Sequence, residues 1–260
     1  MRQHVYMVIT TEGIVLRQRK IANNRRMIVV FTKRYGKLSA GTSINEKSRG
    51  KAALALRPFT YAEYDIFKGR DSYSINTASA IKSFYSIGED IDRFEAASAF
   101  IEYMDKVLDE EAPMPGLFDL SLEFLQSVSV TKSASETLLL AFVVKTLRVL
   151  GVAPETDCCV NCGKSVSDFG EGFRKFSVSS GGIICPDCAE EEKREGNSLI
   201  YQPDFDIINV FRYFTSKPLK TFEKVDLRPK VRREVREILA DYTDHYLGSG
   251  VLRASGGMEV

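Results

Sequence analysis

The first third of the chain alternates apolar and polar residues in short runs, a pattern typical of half-buried β-strands. The runs are rich in β-branched and aromatic residues and are separated by Gly, Asn, Lys and Arg. They predict five strands, at positions 11–19, 27–32, 37–42, 57–68 and 72–80. Five short strands within the first 80 residues predict a small barrel of the OB-fold type, whose open face commonly binds single-stranded nucleic acid.

The fourth predicted strand carries a change of phase. Its large apolar residues alternate at Phe59 and Tyr61 and then resume at Tyr64 and Ile66. One extra residue in a strand shifts the alternation in this way. The sequence therefore predicts a β-bulge in the fourth strand.

From Ile91 onwards, apolar residues recur at spacings of three and four, which is the period of an amphipathic helix. A capping box is predicted at Ser133 and Glu136 ahead of one helix, and Gly151 and Gly248 are predicted to end two helices. The predicted helices cover 91–108, 117–128, 136–150, 204–215 and 228–247.

These patterns predict an α+β fold, with an N-terminal five-stranded OB-fold barrel followed by a mainly α-helical domain that carries a four-cysteine zinc module. The predicted domains are a nucleic-acid-binding OB-fold at 1–80, a helical domain formed by 81–156 with 194–250, and a zinc module at 157–193 inserted in the helical domain.

The composition is that of a folded globular protein, with 44% hydrophobic and 27% charged residues in 260. The longest apolar run, 138–144, is too short for a membrane helix. The first residues of the sequence lack the apolar region and the cleavage site of a signal peptide. We therefore expect a cytoplasmic protein with no membrane association.

The net charge of +1 conceals an uneven distribution. Positions 1–80 hold 15 Lys or Arg against 5 Asp or Glu, whereas positions 81–157 hold 6 against 14. A strongly basic segment in a nearly neutral protein indicates an anionic polymer as its partner, because summed surface charge acts beyond single contacts. Nucleic acid is the expected partner.

Two CxxC pairs form the most specific motif. Cys159 and Cys162 are followed, after 22 residues, by Cys185 and Cys188. Two such pairs supply the four thiolates of a closed tetrahedral zinc site, whereas disulfides are disfavoured in the cytoplasm. We predict that these four cysteines bind a structural Zn²⁺, with Cys158 as a spare residue that could compete as a ligand.

Catalytic motifs are missing from the sequence. It has no Gly-rich phosphate loop and no nucleophile elbow, and its two histidines, His4 and His245, lie outside the motif that a zinc deaminase needs. We therefore predict a protein that is not an enzyme. The alternative is a metal-dependent nuclease in which acidic residues at 109–111 or 190–192 bind magnesium.

Basic residues at predicted strand ends and turns could follow a phosphate backbone, while Tyr35, Phe59, Tyr61, Tyr64 or Tyr73 could stack on bases. A weaker signal is the run at 228–236, in which Arg228, Arg232, Arg233 and Arg236 could line one helix face. The predicted nucleic-acid-binding residues are Arg17, Arg19, Lys20, Arg25, Arg26, Lys33, Arg34, Lys37, Lys47, Arg49 and Lys51.

Motifs along nearly the whole chain resemble the RecO family of bacterial recombination mediators. They include EGIVL at 12–16, VVFT at 29–32 leading to GKL at 36–38, KS at 47–48 before RPF at 57–59, and LF at 117–118. The order continues with LRVLG at 147–151, both cysteine pairs with GG at 181–182 between them, and HYLG at 245–248. The loop at 23–26 departs from the family pattern because it is more basic.

The resemblance implies a nucleoid-associated mediator that binds single- and double-stranded DNA and anneals complementary strands. It also implies binding to RecR and to the acidic C-terminal tail of single-stranded-DNA-binding protein, and indirect action on RecA. A hydrophobic groove of the helical domain near Lys145 or Arg148 is the predicted tail site. The alternative is an RNA-binding or ribosome-associated protein, since an OB barrel with a zinc module also suits RNA.

Overall fold

The computed structural model describes residues 7–21, 25–44, 50–70, 72–169, 175–196 and 199–254. Contacts divide the chain into two compact units, Met1–Val130 and Thr131–Val260. The predicted α+β class is confirmed by an N-terminal sheet of five strands and a helical C-terminal part. The three-domain division predicted from the sequence stays a prediction.

The five strands of the first unit close into an OB-like barrel in the order β1-β2-β3-β5-β4. All neighbouring strands are antiparallel except β3 and β5, which are parallel. Every predicted strand is present, and a short helix α1 (Lys51–Ala55) that was not predicted lies between the third and fourth. The strands are β1 (Met7–Lys20), β2 (Arg26–Thr32), β3 (Gly36–Thr42), β4 (Thr60–Lys68) and β5 (Tyr73–Ser83).

The first strand, β1, pairs with two neighbouring strands. Its N-terminal half pairs with β4 and its C-terminal half with β2, and the two pairings overlap at Gly13 and Ile14. A Cβ at Gly13 would come within 2.5 Å of the Val30 side chain, so only glycine fits at this position, where β1 pairs with both neighbours. The barrel interior is filled by Val15, Ile28 and other apolar side chains.

The bulge prediction was wrong about the strand. In β4 the buried side chains alternate regularly from Thr60 to Ile66. The register shifts instead skip Asn76 and Ile81 in the facing strand β5. Phe59 precedes β4 with a left-handed φ of 59°, and its ring packs edge-on against Phe94, which explains the apparent change of phase.

Two helices, α2 (Ile91–Val107) and α3 (Pro115–Val128), complete the first unit. Asp90 caps α2 by accepting a 2.9 Å hydrogen bond from the Arg93 backbone nitrogen. From α3, the Phe118 ring packs edge-on against Phe31 of the barrel, with ring centres 5.4 Å apart. This contact covers one end of the outer barrel face and leaves the opposite end of β2 exposed at Met27.

The second unit is built around α4, whose side chains from Leu138 to Val144 are fully buried. Its remaining elements include three two-residue strands that form a sheet in the order β7-β6-β8. The elements are α4 (Ser135–Val149), β6 (Phe176–Ser177), β7 (Gly182–Ile183), α5 (Pro186–Arg194), β8 (Ile200–Tyr201), α6 (Ile207–Ser216), α7 (Pro229–Leu247) and α8 (Val251–Ala254).

The two predicted helix-ending glycines are present as predicted, whereas the predicted capping box is not. Gly151 follows the helix with a φ of 75°, and Gly248 ends α7 with a φ of 60°, as expected for glycines after a helix. The prediction of a capping box at Ser133 and Glu136 was wrong, because α4 begins after Ala134 and has no side-chain cap. Glu136 instead binds Arg232 and Arg236. Within the described residues, no helix has the length and hydrophobicity that crossing a membrane requires.

Candidate metal centre and nucleic-acid interface

The four predicted zinc ligands lie together in the second unit. The Sγ atoms of Cys159, Cys162, Cys185 and Cys188 are all within 4.8 Å of one another, and those of Cys162 and Cys185 are 3.8 Å apart. Four sulfurs at about 2.3 Å from one tetrahedral ion are about 3.8 Å apart. The cluster is therefore compatible with one metal ion, and a set of four thiolates is the set that favours zinc.

The first knuckle is a tight turn. The Gly163 nitrogen donates to the Cys159 carbonyl oxygen at 2.9 Å, and the φ of Gly163 is 72°. In the second knuckle, Cys185 caps α5, and its Sγ accepts from the Cys188 nitrogen at 3.4 Å. The Cys185 nitrogen in turn donates to the Cys159 sulfur at 3.3 Å and joins the two knuckles.

Backbone amides around the cluster favour the thiolate form of one cysteine. Burial opposes ionisation of Cys159, but amides of Cys162, Cys185 and Asn161 bond to its sulfur and lower its pKa to about 7. Burial raises the pKa of Cys185 and Cys188. A bound cation would ionise these thiols, since metal binding displaces their protons.

The spare cysteine lies outside the group of four. Cys158 is half-buried and forms an isolated β-bridge with Ser165. Burial, followed by the charges of Glu155 and Asp157, raises the pKa of Cys158 and disfavours its thiolate. The group of four sulfurs therefore contains Cys159 and not Cys158.

A hairpin between the two knuckles joins the cluster to the rest of the second unit. Strands β6 and β7 pair Phe176 with Ile183, and the Phe176 ring packs edge-on against Phe211 of α6. A Cβ on Gly182 would come within 2.5 Å of the Glu155 carbonyl oxygen, so glycine is needed at this close approach.

Two of the predicted nucleic-acid-binding residues are engaged inside the first unit. Arg26 is only 5% exposed, and its guanidinium donates to the Ile44 carbonyl oxygen at 2.8 Å and to Gln18 Oε1 at 3.2 Å. The Lys37 ammonium donates to the Asp105 carbonyl oxygen at 2.7 Å, and its side chain is 11% exposed. Burial of both cations argues against phosphate contacts, and we assign them to the stability of the barrel.

Two others form surface ion pairs. The Arg17 Nε lies 3.4 Å from Asp105 Oδ2, and the Lys33 Nζ lies 3.0 Å from Asp119 Oδ1. Asp119 raises the pKa of Lys33 through a hydrogen bond and its charge. The Lys33–Asp119 pair is exposed on both sides, and pairs of this kind contribute little, so a phosphate could replace Asp119 at small cost.

The β1–β2 hairpin collects three exposed cations. Lys20 pairs with Arg26 across the hairpin, and the Ile21 nitrogen donates to the Arg25 carbonyl oxygen at 2.9 Å, so Lys20 and Arg25 lie at the same end of the hairpin. Arg19, which precedes Lys20 in β1, is also exposed and lies on the opposite face of the strand from Lys20. We call Arg19, Lys20 and Arg25 the hairpin cations.

A row of paired residues with little side-chain cover continues from the hairpin cations across the barrel. Arg19 is paired with Met27, Met27 with Gly41, and Gly41 with Ser74 on β5. A Cβ on Gly41 would meet no atom closer than 4.0 Å, so this face is open. An extended polymer could lie flat here.

The remaining predicted cations lie elsewhere. Arg34 is exposed in the β2–β3 turn, at the far end of a seven-residue strand, about 20 Å from the hairpin cations at roughly 3.3 Å per residue. Lys51 is exposed at the start of α1. Lys47 and Arg49 lie outside the described residues. The members of the predicted set that the structure describes therefore do not form one cluster.

Most of the predicted stacking aromatics are engaged in packing. Tyr64 is fully buried and donates to the Ala55 carbonyl oxygen at 2.5 Å. Tyr61 packs against Phe118, and Phe59 packs against Phe94. Tyr35 and Tyr73 also pack against the barrel core, but both are only half-buried and so could still offer part of a ring to a base.

The basic run at the start of α7 is largely internal to the second unit. Arg232 binds Glu136 and Asp226 at 2.8 and 2.6 Å, and Arg236 also binds Glu136. Arg228 and Arg233 are exposed. The predicted basic helix face is thus reduced to two residues.

The acidic runs considered for a nuclease are engaged in other contacts. Glu111 pairs with Lys68, Glu190 pairs with Lys175, and Glu192 is buried. Within the described residues, the four-cysteine cluster is the one group of His, Cys, Asp or Glu side chains arranged to hold a metal.

Comparisons with known proteins cover both units. Residues 7–84 match the family model "Recombination protein O N terminal", and residues 88–255 match "Recombination protein O C terminal". The chain is 30% identical over 243 residues to a protein of Bacillus pumilus, covering 93% of this chain and 90% of that protein. It is 28% identical over 236 residues to a protein of Alkaliphilus metalliredigens, covering 91% and 92%. Both are named DNA repair protein RecO.

Proposed function

This chain belongs to the RecO family of DNA repair and recombination proteins, and we propose that it binds single- and double-stranded DNA and anneals complementary strands. It would help to load RecA onto DNA coated with single-stranded-DNA-binding protein, together with RecR. The work would be done by binding, without making or breaking covalent bonds.

The observation that supports DNA binding is the group of hairpin cations beside an open face of the barrel. Arg19, Lys20 and Arg25 are exposed, and no ion pair with a described residue occupies them. Contacts between such cations and phosphates release counterions and do not depend on base identity. Two strands held on one basic surface repel each other less, so complementary sequences can pair.

The metal centre would have a structural role. We propose that Cys159, Cys162, Cys185 and Cys188 hold one Zn²⁺, which would cross-link the two knuckles. Four protein thiolates leave no open coordination position for a substrate. The ion would therefore stabilise the second unit rather than activate water.

The acidic C-terminal tail of single-stranded-DNA-binding protein would bind the second unit. Supporting this proposal is a pocket of about 470 Å³ that is lined by Val210, Tyr213, Phe214 and Leu227, with Arg212 beside them. Lys145 lies near it, since its Nζ donates to the Thr215 carbonyl oxygen at 3.2 Å. An apolar pocket beside cations suits an acidic peptide with an apolar end.

Fluorescence anisotropy of a labelled tail peptide tests this site. Tyr213→Ala is expected to weaken binding because it removes part of the apolar wall. Arg148→Glu tests the exposed cation predicted from the sequence. Unchanged binding in both variants would contradict this location.

Strand annealing tests the main proposal. Two complementary oligonucleotides with a fluorophore and a quencher are mixed with wild type or with an Arg19→Glu/Lys20→Glu/Arg25→Glu variant. We expect the variant to lose most of the acceleration. The control Lys132→Glu/Arg194→Glu/Lys220→Glu changes the net charge equally at exposed residues of the second unit and should anneal like wild type.

Matched RNA strands provide the other arm of the experiment. Strong preference for RNA over DNA of the same sequence would favour the ribosome-associated alternative. Equal annealing by the hairpin variant and wild type would contradict the assignment of the DNA-binding surface.

A further inference from the structure

A buried carboxylate lies between the two zinc knuckles. Glu192 is on α5, one turn after Cys188, and is only 4% exposed. No described lysine or arginine forms an ion pair with it. Burying a charge without a counterion is costly unless hydrogen bonds replace its water.

Three side chains donate to this carboxylate. Ser177 Oγ donates to Glu192 Oε2 at 2.8 Å, Asn161 Nδ2 donates to Oε1 at 3.1 Å, and Ser180 Oγ also donates to Oε1. An ionised carboxylate only accepts hydrogen bonds, so it matches three converging donors. The two carboxylate oxygens of Glu192 are therefore both matched by donors.

The donors come from three different parts of the metal centre. Asn161 lies between the cysteines of the first knuckle, Ser177 belongs to β6, and Ser180 lies in the hairpin turn before Gly181. Glu192 itself is on the helix that begins at the second knuckle. One side chain therefore ties both knuckles and the hairpin together.

We propose that Glu192 is a positioning residue that holds the four sulfurs in their metal-binding arrangement. Groups that hydrogen-bond directly to a metal ligand typically change the metal's affinity by about 10–100-fold. Glu192 reaches a ligand through Asn161, whose backbone amide bonds to the Cys159 sulfur. The proposal rests on the proposed zinc site and adds the residue that organises it.

Charge and geometry predict opposite effects at this position. Four thiolates around a divalent cation leave a net negative centre, so an additional nearby anion opposes metal binding electrostatically. If charge were the main effect, removing it would tighten binding. If positioning is the main effect, Glu192→Ala leaves three donors without their acceptor, the knuckles separate, and binding weakens.

The experiment measures Zn²⁺ affinity of the full chain by competition with a chromophoric chelator, and the absorption bands of bound Co²⁺ as a signature of tetrahedral thiolate geometry. Glu192→Ala is expected to weaken affinity by about 10–100-fold and to broaden or reduce the Co²⁺ bands. Glu192→Gln should recover part of the affinity, because its carbonyl oxygen still accepts from Asn161 and Ser180. Glu191→Ala, at an exposed neighbour on the same helix, is the control and should match wild type.

Unchanged or tighter metal binding in Glu192→Ala would overturn the proposal. If Glu192→Ala does not fold, Asn161→Ala is the second test, because Asn161 is exposed and removing its side chain should also weaken Zn²⁺ binding. Wild-type Zn²⁺ affinity in Asn161→Ala would overturn the proposal. Failure of the proposed zinc site itself gives a different result, because the wild type would then bind no Zn²⁺ through its cysteines.

Discussion

Arg26 offers a direct test of the difference between basic residues that stabilise the barrel and those that face DNA. Its guanidinium is buried and donates to the Ile44 carbonyl oxygen and to Gln18 Oε1. Hydrogen bonds from charged groups contribute about 1.5–3 kcal/mol each. Arg26→Met keeps an apolar stem and removes both bonds, so we expect a loss of about 3–6 kcal/mol, or on the order of 10 °C in Tm.

The matched variant is Arg19→Met on the neighbouring strand. Arg19 is exposed, so its loss should change stability by no more than about 0.5 kcal/mol. It should instead flatten the dependence of single-stranded DNA affinity on salt by about 0.7 in log-log slope, the value for one lost phosphate contact.

Circular dichroism measures the Tm of each variant, and DNA anisotropy at several salt concentrations measures the log-log slope of affinity against salt. Arg26→Met is expected to lower the Tm and, at temperatures below that Tm, to leave the slope unchanged. A wild-type Tm combined with a flatter slope in Arg26→Met would refute the reasoning, because Arg26 would then contact phosphate.

Three further predictions concern the metal centre and the barrel surface. Removing metal with a chelator should lower the Tm of the second unit, since bound metal stabilises the folded state in proportion to its affinity; an unchanged thermal scan would argue against a structural metal. Gly182→Ala places a Cβ within 2.5 Å of the Glu155 carbonyl oxygen, so we expect lower stability by chemical denaturation, and wild-type stability would contradict the close approach. Hydrogen bonds from Thr77 and Thr10 lower the pKa of Asp65, so Thr77→Val should raise that pKa in an NMR titration. Because the folded-state pKa is the lower one, this stabilisation is present above the unfolded-state pKa and is lost as pH falls through the folded-state value.

Regular periodicity explains which elements could be predicted from the sequence. All five strands and the five long helices follow alternation or a three-and-four spacing over many residues. The helix α1 has five residues, too few to display a helical period. The bulges in β5 depend on the facing strand, and the alternation within β4 could not reveal them.

In the candidate site too, features set by neighbouring residues could be predicted, whereas contacts between residues far apart in the sequence could not. The two CxxC motifs bring four sulfurs together because each motif is a local turn with its own geometry. The role of Lys37 depends on the Asp105 carbonyl oxygen, 68 positions away, and nothing around Lys37 in the sequence indicates it. Glu192 appeared as one member of an acidic run, and only its burial and its three donors distinguish it.

The most direct test of DNA binding by the hairpin cations is the salt dependence of anisotropy with a labelled single-stranded oligonucleotide. Wild type and the Lys132→Glu/Arg194→Glu/Lys220→Glu control should both show a log-log slope near −3.5 if about five phosphates are contacted. The Arg19→Glu/Lys20→Glu/Arg25→Glu variant should bind more weakly, with a slope flatter by about 2 for three lost contacts. No binding by wild type at low salt, or the same slope in all three proteins, would contradict the account.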